Sequence, residues 1–270
     1  MKKFMFSFKK NPEIYIGQVL SALVVLFLIG GMIFSPYDPN AMDSSAKFAD
    51  ASVKHLFGCD NFGRDIFTRL CVGGSTTLLV AFLTVLIGAV FGTIVGAFTG
   101  YYGGMADEVI MRFNDAVLAF PSILLALVFV SVFGSGTLKV VAALGIVFIP
   151  SFARIVRAEF MRCKNLDYVR SARLMGASSL RIMFVHILPN TFPVLLSSVV
   201  IGFNNAVLAE ASMSYLGIGV QPPESSLGRM LSDAQSFLFT KPSYAITPGI
   251  AIALLVLGFS LLGDGLKKRN

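Results

Sequence analysis

The sequence predicts an all-α, polytopic membrane protein with six transmembrane helices and both ends of the chain on the cytoplasmic side. Three observations carry that prediction. Hydrophobic residues make up 55% of the 270 positions and charged residues 14%, with a mean hydropathy of +0.77, a balance unlike that of a water-solvated surface. A bilayer core about 30 Å thick needs roughly 20 apolar residues of helix. Six runs free of Lys and Arg approach or reach that size, at 14–34, 78–98, 117–133, 140–152, 192–213 and 245–262. Placing the N-terminus inside puts 15 of the 22 Lys and Arg residues on the inner side, the bias that sets orientation in membrane proteins. The runs are continuously apolar and do not alternate, which disfavours a closed β-barrel.

Residues 1–10 carry Lys2, Lys3, Lys9 and Lys10 and read as a cytoplasmic anchor. The apolar run behind them is too long for the core of a secretory signal, and no small-residue cleavage site precedes Ser35-Pro36. A polar stretch over 35–70 follows, too long for a simple connection and therefore expected to hold elements of its own. Within it, Asp60 is placed to cap an interfacial helix. The second run carries Gly88, Gly92 and Gly96. That small-x-x-x-small spacing suits close helix approach in lipid, although glycine is also tolerated generally in membrane helices.

A short inner connection through Gly103, Gly104, Asp107, Glu108, Arg112 and Asp115 leads to the third run, where Pro121 is expected in the first turn or at a kink. The fourth run is short and contains Pro150. It is expected to continue a turn or so past Phe152, with its cations snorkelling outward.

Between the fourth and fifth runs lies a basic amphipathic segment. Tyr168, Val169, Ala172 and Met175 recur at helical spacing, and a second stripe runs Leu180, Met183, Phe184, Ile187 and Leu188. Two short helices meeting at Gly176 are expected, with Ser178 as N-cap of the second and Arg170, Arg173 and Arg181 on the polar faces. Such a unit is too short to cross a bilayer. Its apolar stripe calls for a partner groove or the membrane interface.

Glu210 is the one charged residue inside an apolar run. An ionisable group at that depth is either paired or faces a cavity. Asn204 and Asn205, about a turn deeper, line the same passage or bond between helices.

Several function classes lose support. The net charge of +7 sits in segments flanking membrane runs, without the aromatic-basic platform of a nucleic-acid binder, so anionic lipid headgroups are sufficient partners. His55 and His186 fall on opposite sides of the membrane and share no metal site. Cys59 and Cys71 both lie outside and could pair, though a bridge is the less favoured option; Cys163 lies inside and stays reduced. No G-x-x-x-x-G-K-[S/T] occurs, so any ATP is handled by another chain. A secondary transporter would show several intramembrane carboxylates or repeats, and a membrane enzyme a nucleophile with its base.

Five stretches resemble the permeases of binding-protein-dependent ABC importers of the dipeptide, oligopeptide and nickel group. Gly58-Cys-Asp60-Asn-Phe-Gly63-Arg64-Asp65-Ile-Phe-Thr-Arg69-Leu is similar to the signature before their second helix. Gly100-Tyr-Tyr-Gly103-Gly104 and Ala119-Phe-Pro121-Ser122 match two further family stretches, and Ala172, Gly176, Leu188 and Pro189 fall at the spacing of the EAA loop. Ala209-Glu210-Ala-Ser-Met-Ser-Tyr-Leu216-Gly217-Ile-Gly219-Val-Gln221-Pro-Pro223 resembles the second, C-type permease of dipeptide importers, with Leu227 where that family has Trp.

The resemblance implies a type I importer permease fold, with an anchor helix and extracytoplasmic loop over 1–72 and a core permease domain over 73–270 carrying a coupling loop at about 154–190. It implies that Asp167, Tyr168, Arg170, Ser171, Ala172, Leu174, Gly176, Ala177 and Pro189 engage an ATPase, Arg170 and Ser171 standing where the motif has its acidic residue and first alanine. The implied partners are a homologous second permease, two ATP-binding subunits, an extracytoplasmic solute-binding protein and membrane lipid. ATP and magnesium would be used by the ATPases, with no cofactor or metal on this chain. The implied cargo is a di- or oligopeptide, or alternatively nickel or another metal chelate.

Overall fold

The structure, a computed structural model, describes residues 12–269, so the anchor over 1–10 lies outside the described residues. The described residues form helices and their connections, with one isolated bridge between Cys59 and Asp65. Five helices are long and apolar enough to cross a membrane: α1 (Pro12–Phe34), α2 (Ile66–Tyr102), α5 (Thr137–Cys163), α7 (Ser179–Tyr215) and α9 (Pro242–Arg269). A sixth crossing exists only if α3 (Gly104–Leu118) and α4 (Ser122–Phe133) are one span, and they meet at 93°.

That bend corrects the expectation of a single third helix over 117–133. Pro121 has no amide hydrogen to continue the preceding ladder and starts the new helix as its N-cap residue. With 12 residues, α4 is only about 18 Å long at 1.5 Å per residue, well short of the bilayer core. The inner connection expected before it is itself helical. In α3, Asp107 and Asn114 turn inward while Met105, Val109 and Phe113 stay exposed.

Helix α2 begins at Ile66, not at Leu78, because the polar residues Arg69, Thr76 and Thr77 are built into it. The boundary expected after residue 72 therefore falls inside this helix. Its cap is Asp65 and not Asp60: the Asp65 carboxylate accepts from Thr68 N at 2.7 Å. Helix α5 likewise runs some three turns beyond Phe152, carrying Arg154, Arg157 and Arg162 within it.

The α2–α5 seam holds the molecule together. A Cβ on Gly92 would lie 2.5 Å from Phe152 Cβ, and one on Gly100 2.6 Å from the Arg157 carbonyl oxygen. The glycine stripe is thus a contact requirement, one turn longer than the sequence pattern suggested. Packing that backbones allow only without side chains replaces hydrophobic burial as the attractive term in lipid.

Four apolar layers make up the core of the described residues. An outer one joins Leu28, Ile66, Leu70, Met230 and Leu255, a second Val80, Val140, Leu144 and Met213, a third Val85, Phe152, Ala206 and Val207, and an inner one Phe160, Val169, Ile182 and Ile187. At the outer end, α8 (Leu227–Ala234) lies between α7 and α9.

Candidate functional site

The inner layer ends in an elbow built by α6 (Asp167–Leu174) and the start of α7. Val169 and Ala172 are buried against Phe160, Cys163, Met183 and Ile187. After Leu174 the chain reverses through a Schellman turn: Ala177 N donates to Ala172 O at 3.1 Å, Gly176 N donates to Arg173 O at 3.0 Å, and Gly176 takes φ +83°. Ser178 then caps α7, its carbonyl accepting from Ile182 N at 2.9 Å.

The expected pair of short helices is corrected here. The second is the first turn of α7, joined to the rest by a π-helical stretch, Ile182–Ile187. Pro189 has no amide hydrogen, and Leu188 N reaches five residues back to Met183 O. Pro189 therefore lies inside a long helix. The buried stripe is also rearranged. Ile182, which the sequence reading passed over, is buried with Met183 and Ile187, whereas Leu180 and Phe184 are exposed.

What the elbow presents outward is an apolar tip ringed by charge. Leu174 is 89% exposed and Met175 81%, an unusual cost for side chains held at the end of a fixed turn. Around them stand Arg170, Ser171 and Arg173, all exposed, with Asp167 Oδ1 3.6 Å from Arg170 Nη1. Ala177 is half-buried behind the tip. Tyr168 sits at its edge, where partial burial and the neighbouring Cys163 push its hydroxyl above its ordinary pKa.

A second feature is a cavity of about 390 Å³ between the α3–α4 break, α5 and α7. Ser122, Ser151, Ser198 and Asn205 supply its polar lining and Phe120 and Phe152 part of its apolar wall. The pathway candidates separate at this point. Asn205 is exposed on the cavity, Asn204 is half-buried with an unpartnered Oδ1, and Glu210 is fully buried away from it. Ser214 Oγ donates to Glu210 Oε1 at 2.6 Å and accepts from Val220 N at 2.9 Å, while Thr77 and Ser226 flank the same carboxylate.

Two ion pairs join α3 to α5, the helices that contribute Val117, Leu118 and Ser151 to the lining. Arg157 donates to both Asp107 oxygens, at 2.6 and 2.8 Å, and Arg154 pairs with Asp115.

Sequence reasoning also missed a buried ion cluster at the outer end. Asp60 accepts from Arg64 N at 2.9 Å and from Arg64 Nε at 2.6 Å. Asp233 on α8 lies 2.9 Å from Arg229 and 3.8 and 3.9 Å from Arg64 and Arg69. Arg69, only 2% exposed, also donates to Pro39 O at 3.0 Å. The signal was present in the Gly58–Leu70 signature, but its acidic partner Asp233 is remote in sequence. Cys59 and Cys71 are buried free thiols, and burial pushes the Cys59 thiol up.

Comparison with known proteins places this geometry. The family model described as binding-protein-dependent transport system inner membrane component matches residues 88–269. The dipeptide transport system permease protein DppC of Haemophilus influenzae is 38% identical over 99% of this chain and 92% of its own length. The glutathione transport system permease protein GsiD of Pectobacterium atrosepticum is 43% identical over 92% of this chain and 84% of its own. Among solved structures, the inward-facing MetNI methionine ABC transporter superposes with a TM-score of 0.60 at 19% identity, over 74% of this chain and 95% of that one, a likeness of fold.

Proposed function

The chain belongs to the binding-protein-dependent transport family as an inner-membrane ABC importer permease of the dipeptide and oligopeptide group, and from that premise we propose that its cargo is short peptides. The observation carrying the peptide reading is the near full-length identity to permeases named for dipeptide and glutathione transport.

In the proposed mechanism an extracytoplasmic binding protein releases peptide to this subunit and a second, homologous permease. Two ATP-binding subunits, which use ATP and magnesium, close beneath them. The elbow is the plug for one of these motors. Leu174 and Met175 enter an apolar groove of the ATPase while Asp167, Arg170, Ser171 and Arg173 meet its polar rim. Val169 and Ala172 tie the plug to Phe160 of α5 and Ile187 of α7, so displacement of α6 moves both helices that wall the cavity. Tyr168, Gly176, Ala177 and Pro189 set the plug's angle without forming its tip. The cavity is this subunit's half of the conduit, with Asn205 on its wall and Asn204 and Glu210 supporting it from behind.

The test is uptake by proteoliposomes holding the permease pair, both ATPases and the cognate binding protein. ATP-dependent accumulation of a labelled dipeptide is expected. Transport of nickel chelates with no peptide accumulation would overturn the peptide reading and leave the importer class standing.

A further inference from the structure

The lining of the conduit cavity contains no charged side chain. Its polar groups are the hydroxyls of Ser122, Ser151 and Ser198 and the amide of Asn205, set among Phe, Ile, Leu and Val. These four groups come from three separate elements, α4, α5 and α7, and converge on one space. Ser198 Oγ already donates to Val194 O at 2.8 Å, whereas Ser122, Ser151 and Asn205 are exposed on the cavity. Each of the three both donates and accepts hydrogen bonds.

We infer that Ser122, Ser151 and Asn205 are the cargo-contacting residues of this subunit, and that they bind the peptide main chain while leaving side-chain charge unread. This rests on the peptide-importer reading and deepens it. A peptide's constant part is an alternation of N–H and C=O groups, which ambivalent donors and acceptors satisfy in any register. Its variable part is accommodated by the Phe120 and Phe152 wall, which is apolar and unsigned.

The absence of fixed charge is the physical centre of the inference. In a space of low dielectric a single carboxylate or ammonium would favour cargo of opposite sign by roughly tenfold or more. Outside the lining, on the same helices α3 and α5, Arg154 pairs with Asp115 and Arg157 with Asp107, so these charges neutralise one another. This subunit's half of the conduit therefore admits acidic, neutral and basic peptides alike, and discrimination by charge falls to other parts of the transporter.

The test installs a charge where the structure has none. In the assembled transporter in proteoliposomes, with saturating loaded binding protein, initial uptake of Lys-Ala and Glu-Ala dipeptides is compared after normalising to binding-protein loading. The wild-type ratio is expected near one. Asn205→Asp is expected to raise the Lys-Ala to Glu-Ala ratio by about tenfold, and Asn205→Lys to invert it. Ser122→Asp, in the first turn of α4 where a carboxylate suits the helix N-terminus, supplies a second variant should position 205 not tolerate charge. Unchanged ratios in variants that still transport would overturn the inference while leaving the importer reading intact. A wild-type transporter that hydrolyses ATP but accumulates neither dipeptide would remove the peptide reading itself, and this inference with it.

Discussion

Gly96 of α2 faces Ala153 of α5 so closely that a Cβ at position 96 would lie 2.4 Å from the Ala153 carbonyl oxygen. No rotamer change relieves a clash with backbone. Gly96→Val is therefore expected to force the α2–α5 seam apart and to destabilise the subunit by about 1–3 kcal/mol, the range for overpacked cores. Thermal unfolding of the detergent-purified complex reads this directly. A melting temperature equal to wild type would show that the seam is looser than its geometry implies.

Gly176 is a different kind of glycine. A Cβ there meets nothing within 4 Å, yet φ is +83°, so the cost of a side chain is backbone strain alone. Gly176→Leu is expected to cost roughly 1–2 kcal/mol locally, leaving the exposed elbow misaimed and the membrane core inserted. ATP hydrolysis should then persist while uptake falls. Gly176→Asn, which tolerates the left-handed region, should retain coupling. Normal uptake by the leucine variant would remove the elbow from the coupling mechanism.

The division between what was legible in the sequence and what was not follows from the range of each signal. Hydropathy located the five long spans, and the Gly88, Gly92 and Gly96 period pointed to the seam, because both are local patterns. Helix ends were misplaced wherever polar residues are built into a helix, as with Arg69 in α2 and Arg154 in α5. The α3–α4 bend at Pro121 was visible only as two alternatives, since a proline either starts or kinks a helix and tertiary packing decides. For the candidate site, the amphipathic segment and its turn at Gly176 were legible, yet the sequence could not separate Asn205 on the cavity from Glu210 behind it. Five positions apart on one helix, they face different neighbours.

Asp233 supplies the second carboxylate to a cluster holding Arg64, Arg69 and Arg229. Its replacement by Asn leaves three guanidinium groups against Asp60 alone. Breaking a buried pair by removing one partner costs about 3–5 kcal/mol. Asp233→Asn should accordingly release the outer segment over 35–65 from α8 and α9. Limited proteolysis from the outer face measures this, with cleavage within 35–65 expected in the variant and not in wild type. Equal resistance would mean that the remaining ties, among them Arg69 to Pro39 O at 3.0 Å and Lys241 to Phe48 O at 2.9 Å, hold the segment without Asp233.

Cys59 is fully buried, and its thiol is pushed above its ordinary value first by burial and then by Asp65 and Asp60. The raised value means that folding favours the protonated form. That contribution is complete below the unfolded thiol pKa, about 8.5, and is lost as pH rises through the higher folded value. Maleimide should therefore leave Cys59 unmodified in the native complex at neutral pH and label it after denaturation. Mass analysis without reductant should show Cys59 and Cys71 as free thiols, and a loss of two mass units would contradict the structure.

Glu210 holds together parts that are far apart in the chain. Through Ser214 it is linked to Val220 N, and it lies beside Thr77, whose hydroxyl accepts from Leu227 N at 3.2 Å, and Ser226, which caps α8. Glu210→Gln preserves an acceptor for Ser214 and offers a donor toward the other hydroxyls, so stability and uptake should stay near wild type. Glu210→Leu removes every partner at once and should destabilise the outer end by about 1–3 kcal/mol, the cost of leaving buried hydroxyls unsatisfied. The two variants together separate a bracing role from a role in cargo contact. If Gln abolished uptake with the melting temperature unchanged, the carboxylate would be acting on cargo or on a moving proton, and the bracket would be insufficient to explain why an acid is buried there.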